Sequence, residues 1–302
     1  MQISKSNFTE INSIGEIAYW VIKNDQTAHV MGITSHGIYL RTKKRWVIHI
    51  TNDRFRSPIT ININPNQISL DGIKLNSKVT VDRGSLTLQD SGVAIQPKRD
   101  RIWKVPKPPT SILNISNRKE HFRVFAKEVE SRKKDTGLAQ ILSNITGLEE
   151  YKNQPDDQWN NLYRHIFSFM KFAKASDQNQ FVDLVSGILG AGNGLTPSGD
   201  DFIAGFLLMI NRWRTLFGDI FNYFDLNNQV VNMAYQKTTS LSANMIEWSS
   251  IGMGEERTIS AADWLVCGAG KPENIIPELI EFGNSSGIDT ITGMAAALFI
   301  TN

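Results

Sequence analysis

The sequence is short of cysteine, because Cys267 is the single one in 302 residues. One thiol excludes an internal disulfide framework and a zinc site built from several cysteines. No base or cation stands beside it in the sequence, which favours a structural thiol over a nucleophile. We therefore expect a protein of a reducing compartment, with a cytoplasmic location.

A large excess of either charge is also missing, and so are long apolar runs. Lysine and arginine number 32 against 30 aspartates and glutamates, a formal net charge of +2. This balance gives no indication of nucleic acid or a membrane as partner. The N-terminal stretch has no apolar signal core, and no run approaches the length of a membrane span. We expect a small-molecule or protein partner, and a homo-oligomer is compatible with this composition.

Histidine is absent after residue 165, as the five positions show: His29, His36, His49, His121 and His165. A serine-hydrolase triad near the glycine-rich segment described below would lack its base. Another part of the fold could still supply the catalytic base, and His121, between Arg118 and Arg123, is the best candidate for this role.

What is present in the first hundred residues is the pattern of strands and hairpins. Short apolar or alternating runs are separated by turn pairs such as Asp71-Gly72 and Ser91-Gly92. The predicted strands are 17–22, 28–33, 37–41, 46–51, 59–63, 67–70, 78–81, 85–88 and 93–96. They predict a small antiparallel β barrel or sandwich.

The proline-rich segment Val105–Pro109 marks a domain boundary, since its three prolines fix φ and remove backbone donors. Beyond it the apolar residues recur with a helical period. The later predicted helices are 156–175, 181–189, 201–216, 228–248, 260–266, 273–282 and 289–300. We predict an α+β fold, with a β-rich domain over residues 1–109 and a mainly α-helical domain over residues 110–302.

The helical part contains an unusual segment, GAGNGLTPSGDD, at residues 190–201. Its alternating glycines, Gly190, Gly192 and Gly194, allow positive φ angles and close approach of backbone N–H groups to a ligand. Ser198 precedes Asp201 by three residues, as in a capping box before a helix. A glycine loop that leads into a helix N-terminus predicts an anion site.

The start of the last predicted helix repeats part of this segment. Residues 286–293 and residues 198–205 both read S-G-x-D-x-x-x-G. Ordinary helix capping could explain one copy, because serine, glycine and aspartate favour helix starts. Two copies support the hypothesis that both helix N-termini converge on one anionic ligand.

Two familiar phosphate-binding motifs do not fit the loop. It has no G-K-[ST], which argues against a Walker-type phosphate loop, and it follows a helical pattern rather than the strand that a dinucleotide fingerprint requires.

The carboxylates of the segment leave a metal possible. Asp200, Asp201 and Asp289 supply the oxygen ligands that Mg²⁺ accepts together with a phosphate, and Asp200 and Asp201 are the candidate ligands. Capping alone could account for Asp201 and Asp289. A polar strip at residues 238–244 could line the same cavity, or its hydroxyls could bond to the carbonyls of their own helix.

Three stretches of the sequence together resemble the AllH-like family, which includes a subunit of oxamate carbamoyltransferase. They are the long motif at 190–201, Thr239-x-Leu-Ser-Ala243, and Gly283-x-Ser-Ser-Gly-x-Asp289 with Gly293. The likeness covers the helical half well and the β-rich half loosely. It implies transfer of a carbamoyl group between oxalurate and phosphate, in allantoin or purine catabolism, with further subunits as partners.

Phosphate can itself be the nucleophile of such a reaction, so the protein would hold two anions and stabilise oxyanion charge. A binding or regulatory module for a small anionic metabolite remains the alternative. The candidate catalytic residues are Asp200, Asp201 and Asp289. The candidate substrate-binding or anion-binding residues are Gly190, Gly192, Gly194, Thr196, Ser198, Gly199, Thr239, Ser242, Ser286 and Gly287.

Overall fold

The computed structural model describes residues 11–64, 70, 72–82, 84–145, 158–173, 178–220 and 222–300. The chain divides into two compact units between Pro106 and Lys107, beside the proline-rich segment. The first unit is built on one sheet and the second on helices.

The first unit holds a curled, nine-stranded sheet that forms a half-barrel. Its strands are β1 (Ile11–Gly15), β2 (Thr27–Thr34), β3 (Gly37–Thr42), β4 (Val47–Thr51), β5 (Thr60–Ile63), β6 (Lys78–Asp82), β7 (Ser85–Leu88), β8 (Ala94–Ile95) and β9 (Ile102–Trp103), and a 3₁₀ turn covers Arg99–Arg101. The order across the sheet is β8-β7-β6-β2-β3-β4-β5-β1-β9. Most neighbours are antiparallel, but the β1/β9 and β4/β5 pairs are parallel. The predicted α+β fold class is confirmed, with a mixed sheet in place of a purely antiparallel one.

The strand predicted at 17–22 is wrong, because helix α1 (Glu16–Asn24) occupies that stretch. Its buried residues are Ala18, Val21 and Ile22, a helical spacing, whereas Trp20 is about half exposed. The β-branched and aromatic residues suggested a strand, but burial follows one helix face. The strand predicted at 67–70 lies, apart from Leu70, outside the described residues.

The second unit contains helices joined by loops and has no strand among its described residues. Its helices are α2 (Ile115–Lys133), α3 (Leu142–Ile145), α4 (Gln158–Ala173), α5 (Gln178–Ile188), α6 (Ser198–Arg212), α7 (Arg214–Phe217), α8 (Tyr223–Lys237), α9 (Ser240–Ser249), α10 (Glu256–Cys267), α11 (Pro272–Ile280) and α12 (Ser286–Ile300), and a 3₁₀ turn covers Gly137–Ile141.

The single helix predicted at 228–248 is wrong, because the chain breaks between α8 and α9. Thr239 is the N-cap of α9, and its side chain accepts a hydrogen bond from the Ser242 N–H at 3.1 Å. The threonine hydroxyl thus offers the backbone a helix start where the apolar period alone continues.

Helices α6 and α12 form the centre of the helical unit. Nearly every residue of α6 is buried, which is expected of a helix surrounded by others. A Cβ on Gly205 would lie 1.9 Å from the Thr290 carbonyl oxygen, and one on Gly293 would lie 1.9 Å from the Phe202 carbonyl oxygen. These glycines let the two backbones approach each other closely.

Membrane-spanning helices are absent from the part of the chain that the structure describes.

Candidate functional site

The two copies of the repeated motif occupy equivalent places in the fold. Each begins a central helix, and each motif's first glycine packs against the helix before it. A Cβ on Gly199 would lie 2.0 Å from the Ile188 carbonyl oxygen, and one on Gly287 would lie 1.8 Å from the Leu279 carbonyl oxygen. The structure therefore gives these two buried glycines a packing role at the helix starts.

The N-termini of α6 and α12 converge. Thr196, in the loop before α6, has its Oγ1 3.1 Å from the Oγ of Ser286, the first residue of α12. The charge of Asp289 also acts on the Asp201 carboxyl group, so the two motif aspartates face the same region. This is the arrangement expected if both helix starts serve one site.

The predicted capping box at Ser198 is wrong, because Pro197 holds the cap position. The Pro197 carbonyl accepts hydrogen bonds from the N–H groups of Asp200 and Asp201, at 2.9 and 3.1 Å. In α12 the Ser285 carbonyl likewise accepts from the Asp289 N–H at 2.9 Å. Each motif serine is thus the first helical residue, and its hydroxyl is free to point towards the other helix.

The glycine loop has the backbone that its sequence predicts. The φ angles are 76° at Gly190, 115° at Gly192 and 94° at Gly194, all in the region that favours glycine. Residues 193–195 are exposed. Among the described residues, none accepts a hydrogen bond from the N–H groups of residues 192–196. The loop therefore presents a run of unpaired donors beside the N-terminus of α6.

Asp200 holds the backbone of this loop in place and is 1% exposed. Its Oδ1 accepts from the Gly190 N–H at 2.8 Å, and its Oδ2 accepts from the Thr238 hydroxyl. Burial raises the pKa of this carboxyl group, against the opposing effect of the hydrogen bonds from Thr238, Gly190 and Ser242. The geometry places Asp200 beneath the loop as its anchor.

Asp201 is 1% exposed and is the least satisfied polar side chain of the site. Neither carboxyl oxygen has a hydrogen bond of regular geometry. The hydroxyls of Ser286 and Thr196 lie close enough to favour its charged form. Burial, followed by the charge of Asp289, raises the pKa of Asp201 well above its usual value. Its surroundings therefore favour the protonated form of Asp201.

Asp289 is fully buried in the equivalent position of α12. Its Oδ1 accepts from the Leu138 N–H at 2.6 Å, whereas Oδ2 has no hydrogen bond of regular geometry. Burial raises the pKa of Asp289 to about 7, against the effects of the Leu138 N–H and of the Ser198 and Ser285 hydroxyls. Asp289 can therefore change its charge near neutral pH.

The serines and aspartates of the two motifs interact in crossed pairs. Ser286 of α12 favours the ionised form of Asp201 in α6, and Ser198 of α6 favours that of Asp289 in α12. The pairs differ in exposure, because Ser286 is half-buried beside Thr196 whereas Ser198 is buried. The Ser286 hydroxyl lies 3.1 Å from the hydroxyl of Thr196 in the segment before α6.

The polar strip at 238–244 lies against the loop. The hydroxyls of Thr239 and Ser242 donate to the Leu195 carbonyl, at 2.7 and 3.5 Å. These two residues were predicted to bind substrate, and here they hold the loop backbone. The amide of Asn244 instead donates to the Ser240 carbonyl of its own helix at 2.9 Å.

The magnesium hypothesis gains no support from this geometry. Both Asp200 oxygens already accept hydrogen bonds. Within the described ranges there is no group of three or more histidine, cysteine, aspartate or glutamate side chains suited to a metal ion.

The histidine proposed as a base is held elsewhere. His121 stacks on Trp264 with ring centroids 4.8 Å apart, and its Nδ1 lies 2.9 Å from the Trp264 carbonyl oxygen. His165 lies nearer the glycine loop, since its ring fills the space beside Gly187 in α5. Its Nδ1 lies 2.7 Å from the Asn161 carbonyl oxygen of its own helix.

Two groups that donate hydrogen bonds to the site aspartates were not predicted from the sequence to belong to the site. Thr238 was noted only as part of the polar strip, although its hydroxyl contacts Asp200. The Leu138 N–H, which contacts Asp289, comes from 151 positions away in the chain. Gly137, with φ of 54°, was the available signal for a turn at that point.

Neither a comparison with curated proteins nor one with solved structures gives a match. A family model does match, and it covers the glycine loop, both copies of the motif and the polar strip. Residues 188–298 match the model of the family described as oxamate carbamoyltransferase subunit AllH, which confirms the resemblance over this part of the chain.

Proposed function

We propose that this protein is a cytoplasmic subunit of an oxamate carbamoyltransferase and that its glycine loop binds an anionic substrate, with phosphate as the first candidate. The observation that carries the proposal is the exposed loop whose N–H groups at 192–196 have no acceptor among the described residues. The family match over residues 188–298 covers the same segment.

The loop has the features of an anion site. Successive unpaired N–H groups form a concave donor surface, and the adjacent helix N-terminus adds partial positive charge. Asp200, Thr239 and Ser242 hold the loop in place by hydrogen bonds to its backbone. Because these hydrogen bonds fix the loop before a ligand binds, the loop loses little conformational entropy on binding. Its N–H donors are therefore preorganised for oxyanion charge.

The buried aspartates do not prevent binding of an anion here. Burial favours the neutral form of both Asp201 and Asp289. Neutral carboxyl groups do not repel phosphate, and they can donate a proton as well as accept one.

The proposed reaction needs no protein nucleophile. A phosphate oxygen attacks the carbamoyl carbon of oxalurate, the bond from that carbon to the oxamate nitrogen breaks, and carbamoyl phosphate and oxamate form. The protein contributes by placing the two anions next to each other and by stabilising the oxyanion. Such a reaction belongs to the catabolism of allantoin and purines.

Carbamoyl phosphate formation from oxalurate and phosphate tests the proposal. It is measured for the full chain alone and with candidate partner subunits. Product formation that requires this chain supports the proposal. Absence of product in every combination, together with absence of phosphate binding, contradicts it.

A non-catalytic module for a small anionic metabolite is the second candidate. It is favoured by the burial of Asp200, Asp201 and Asp289, none of which is more than 1% exposed. A protein of this kind is stabilised by a metabolite but turns none over. Turnover and thermal stabilisation, both measured on the wild-type protein, separate the two functions, because a binding module is stabilised by its metabolite and forms no product.

A further inference from the structure

We propose that Thr196, Ser286 and Asp201 form a proton relay between the anion at the glycine loop and the buried carboxyl pair of α6 and α12. This inference rests on the proposed function and adds the acid–base part of that reaction.

The first observation is the state of Asp201. Its carboxyl group is buried, and both oxygens lack hydrogen bonds of regular geometry. A buried carboxyl group that lacks hydrogen bonds destabilises the folded protein. Asp200 differs in this respect, because two donors satisfy it. Structural demands on the loop therefore do not account for Asp201.

The second observation is the path from Asp201 to the loop. Thr196 Oγ1 and Ser286 Oγ are 3.1 Å apart, within hydrogen-bonding distance, and either can be the donor. Both residues are half-buried, and both hydroxyls interact with the Asp201 carboxyl group. Hydroxyls donate and accept at once, so a proton can pass along them without leaving a charge on oxygen.

The charged groups that face Asp201 are few. They are Asp200 on its own helix and Asp289 on α12. No described cation contributes to its electrostatics, so the pair shares its negative charge without a counterion. Asp289 is the second carboxyl group of the pair and lies nearby. Asp201 can therefore hold a proton whether Asp289 is protonated or ionised.

The proton balance of the proposed reaction requires such a group. A phosphate oxygen of HPO₄²⁻ forms the new bond to the carbamoyl carbon, and its proton passes through the hydroxyls to the Asp201 carboxylate. As the carbon–nitrogen bond breaks, its electron pair goes to nitrogen. The proton then returns to that nitrogen, which leaves as the neutral amide of oxamate. Charge is conserved, and no other reactant is needed.

In this scheme Ser286 and Thr196 contact the substrates. Asp201 acts only through Ser286, whose hydroxyl it orients and whose proton it accepts. Ser198, which pairs with Asp289, is buried, whereas Ser286 is half-buried. The two motif copies thus have different roles although their sequences are alike.

The test measures kcat against pH for the full chain with its partner subunits. In the wild type, kcat rises as Asp201 loses its proton. The variants Asp201→Asn and Ser286→Ala lower kcat about 100-fold and lose this rise, while the KM for phosphate changes less than about twofold. Thr196→Val tests the outer end of the relay in the same way.

Ser260→Ala is the matched control. It removes the same atom from a hydroxyl that donates to the Glu256 carbonyl of its own helix at 2.8 Å. Its kcat and pH profile should equal those of the wild type. A Ser286→Ala variant that behaves like this control overturns the relay, even where carbamoyl phosphate formation supports the proposed function.

A second readout applies when no turnover is found, an outcome that contradicts the proposed function by itself. Carbon-13 NMR of the labelled Asp201 carboxyl group follows its titration directly. The Ser286→Ala variant should raise the pKa of Asp201, because the hydroxyl favours the ionised form. An unchanged titration shows that the two groups are not linked and overturns the relay regardless of activity.

Discussion

At the scale of single residues, the buried carboxyl groups link the stability of the helical unit to pH. Burial raises the pKa of Asp289 from 3.8 to about 7, and that of Asp201 further above its usual value. Between pH 4 and 7 the folded state holds protons that the unfolded state has released. The stability contributed by these protons is present at low pH and lost as the pH rises through the folded pKa.

We therefore expect the wild-type protein to be less stable at pH 8 than at pH 5, by about 2–3 kcal/mol for Asp289. Asp289→Asn mimics the neutral acid and should remove most of this difference. Urea denaturation at the two pH values measures it. Asp225→Asn, at an exposed position of α8, is the control and should keep the wild-type difference.

Asp200 gives a second prediction at this scale. Asp200→Ala leaves the Gly190 N–H and the Thr238 hydroxyl without their acceptor, so we expect a loss of about 2–3 kcal/mol in unfolding free energy. Hydrogen exchange at residues 190–196 should accelerate. Asp200→Asn keeps one acceptor oxygen and should fall between the wild type and Asp200→Ala. Wild-type exchange rates in Asp200→Ala would show that the carboxylate does not hold the loop.

At the scale of elements, the crossing of α6 and α12 depends on two glycines. Gly205→Ala places a methyl group 1.9 Å from the Thr290 carbonyl oxygen, so the helices must separate. We expect a loss of about 3 kcal/mol or more, since backbone cannot yield as a side chain does. Thermal or urea denaturation gives the value, and Gly293→Ala should match it.

Gly218→Ala is the control for this prediction. Gly218 also lies in the helical unit, with φ of 55°, but a Cβ there would meet nothing within 4 Å. Its cost should be about 1–3 kcal/mol and should come from the backbone alone, because φ of 55° with ψ of −134° is a conformation that L side chains rarely adopt. Equal losses in Gly205→Ala and Gly218→Ala would contradict close packing of α6 against α12.

Much of this arrangement could be predicted from local sequence. The glycines at 190, 192 and 194 indicated positive φ, and the repeated spacing indicated two equivalent helix starts. Both signals act over a few residues, where propensity and steric limits decide the backbone.

What the sequence could not reveal depends on contacts between distant segments. The Leu138 N–H contacts Asp289, although the two residues lie 151 positions apart in the chain. Ser286 of α12 interacts with Asp201 of α6 because of the way the two helices pack. The capping box predicted at Ser198 was wrong for a smaller reason, because Pro197 supplies the first carbonyl and the cap therefore lies one residue earlier. The prediction of a strand in place of α1 was wrong because it gave the β-branched residues more weight than the helical spacing of the apolar residues.

At the scale of the whole molecule, the two compact units predict separable folding. The helical unit has its own core around α6 and α12. We expect residues 107–302, expressed alone, to give a helical circular dichroism spectrum and one cooperative thermal transition. Phosphate affinity within about threefold of the full chain is expected if residues 1–106 do not contribute to the site. An unfolded fragment would show that the units depend on each other.

The central claim is that residues 192–196 bind the anionic substrate through their backbone N–H groups. The most direct measurement is an amide NMR titration of the full nitrogen-15-labelled chain with phosphate, against chloride at equal ionic strength. We predict that the amide signals of Gly192 to Thr196 shift and saturate with phosphate and remain in place with chloride. Unmoved signals in this loop, or equal shifts with both salts, would contradict the claim.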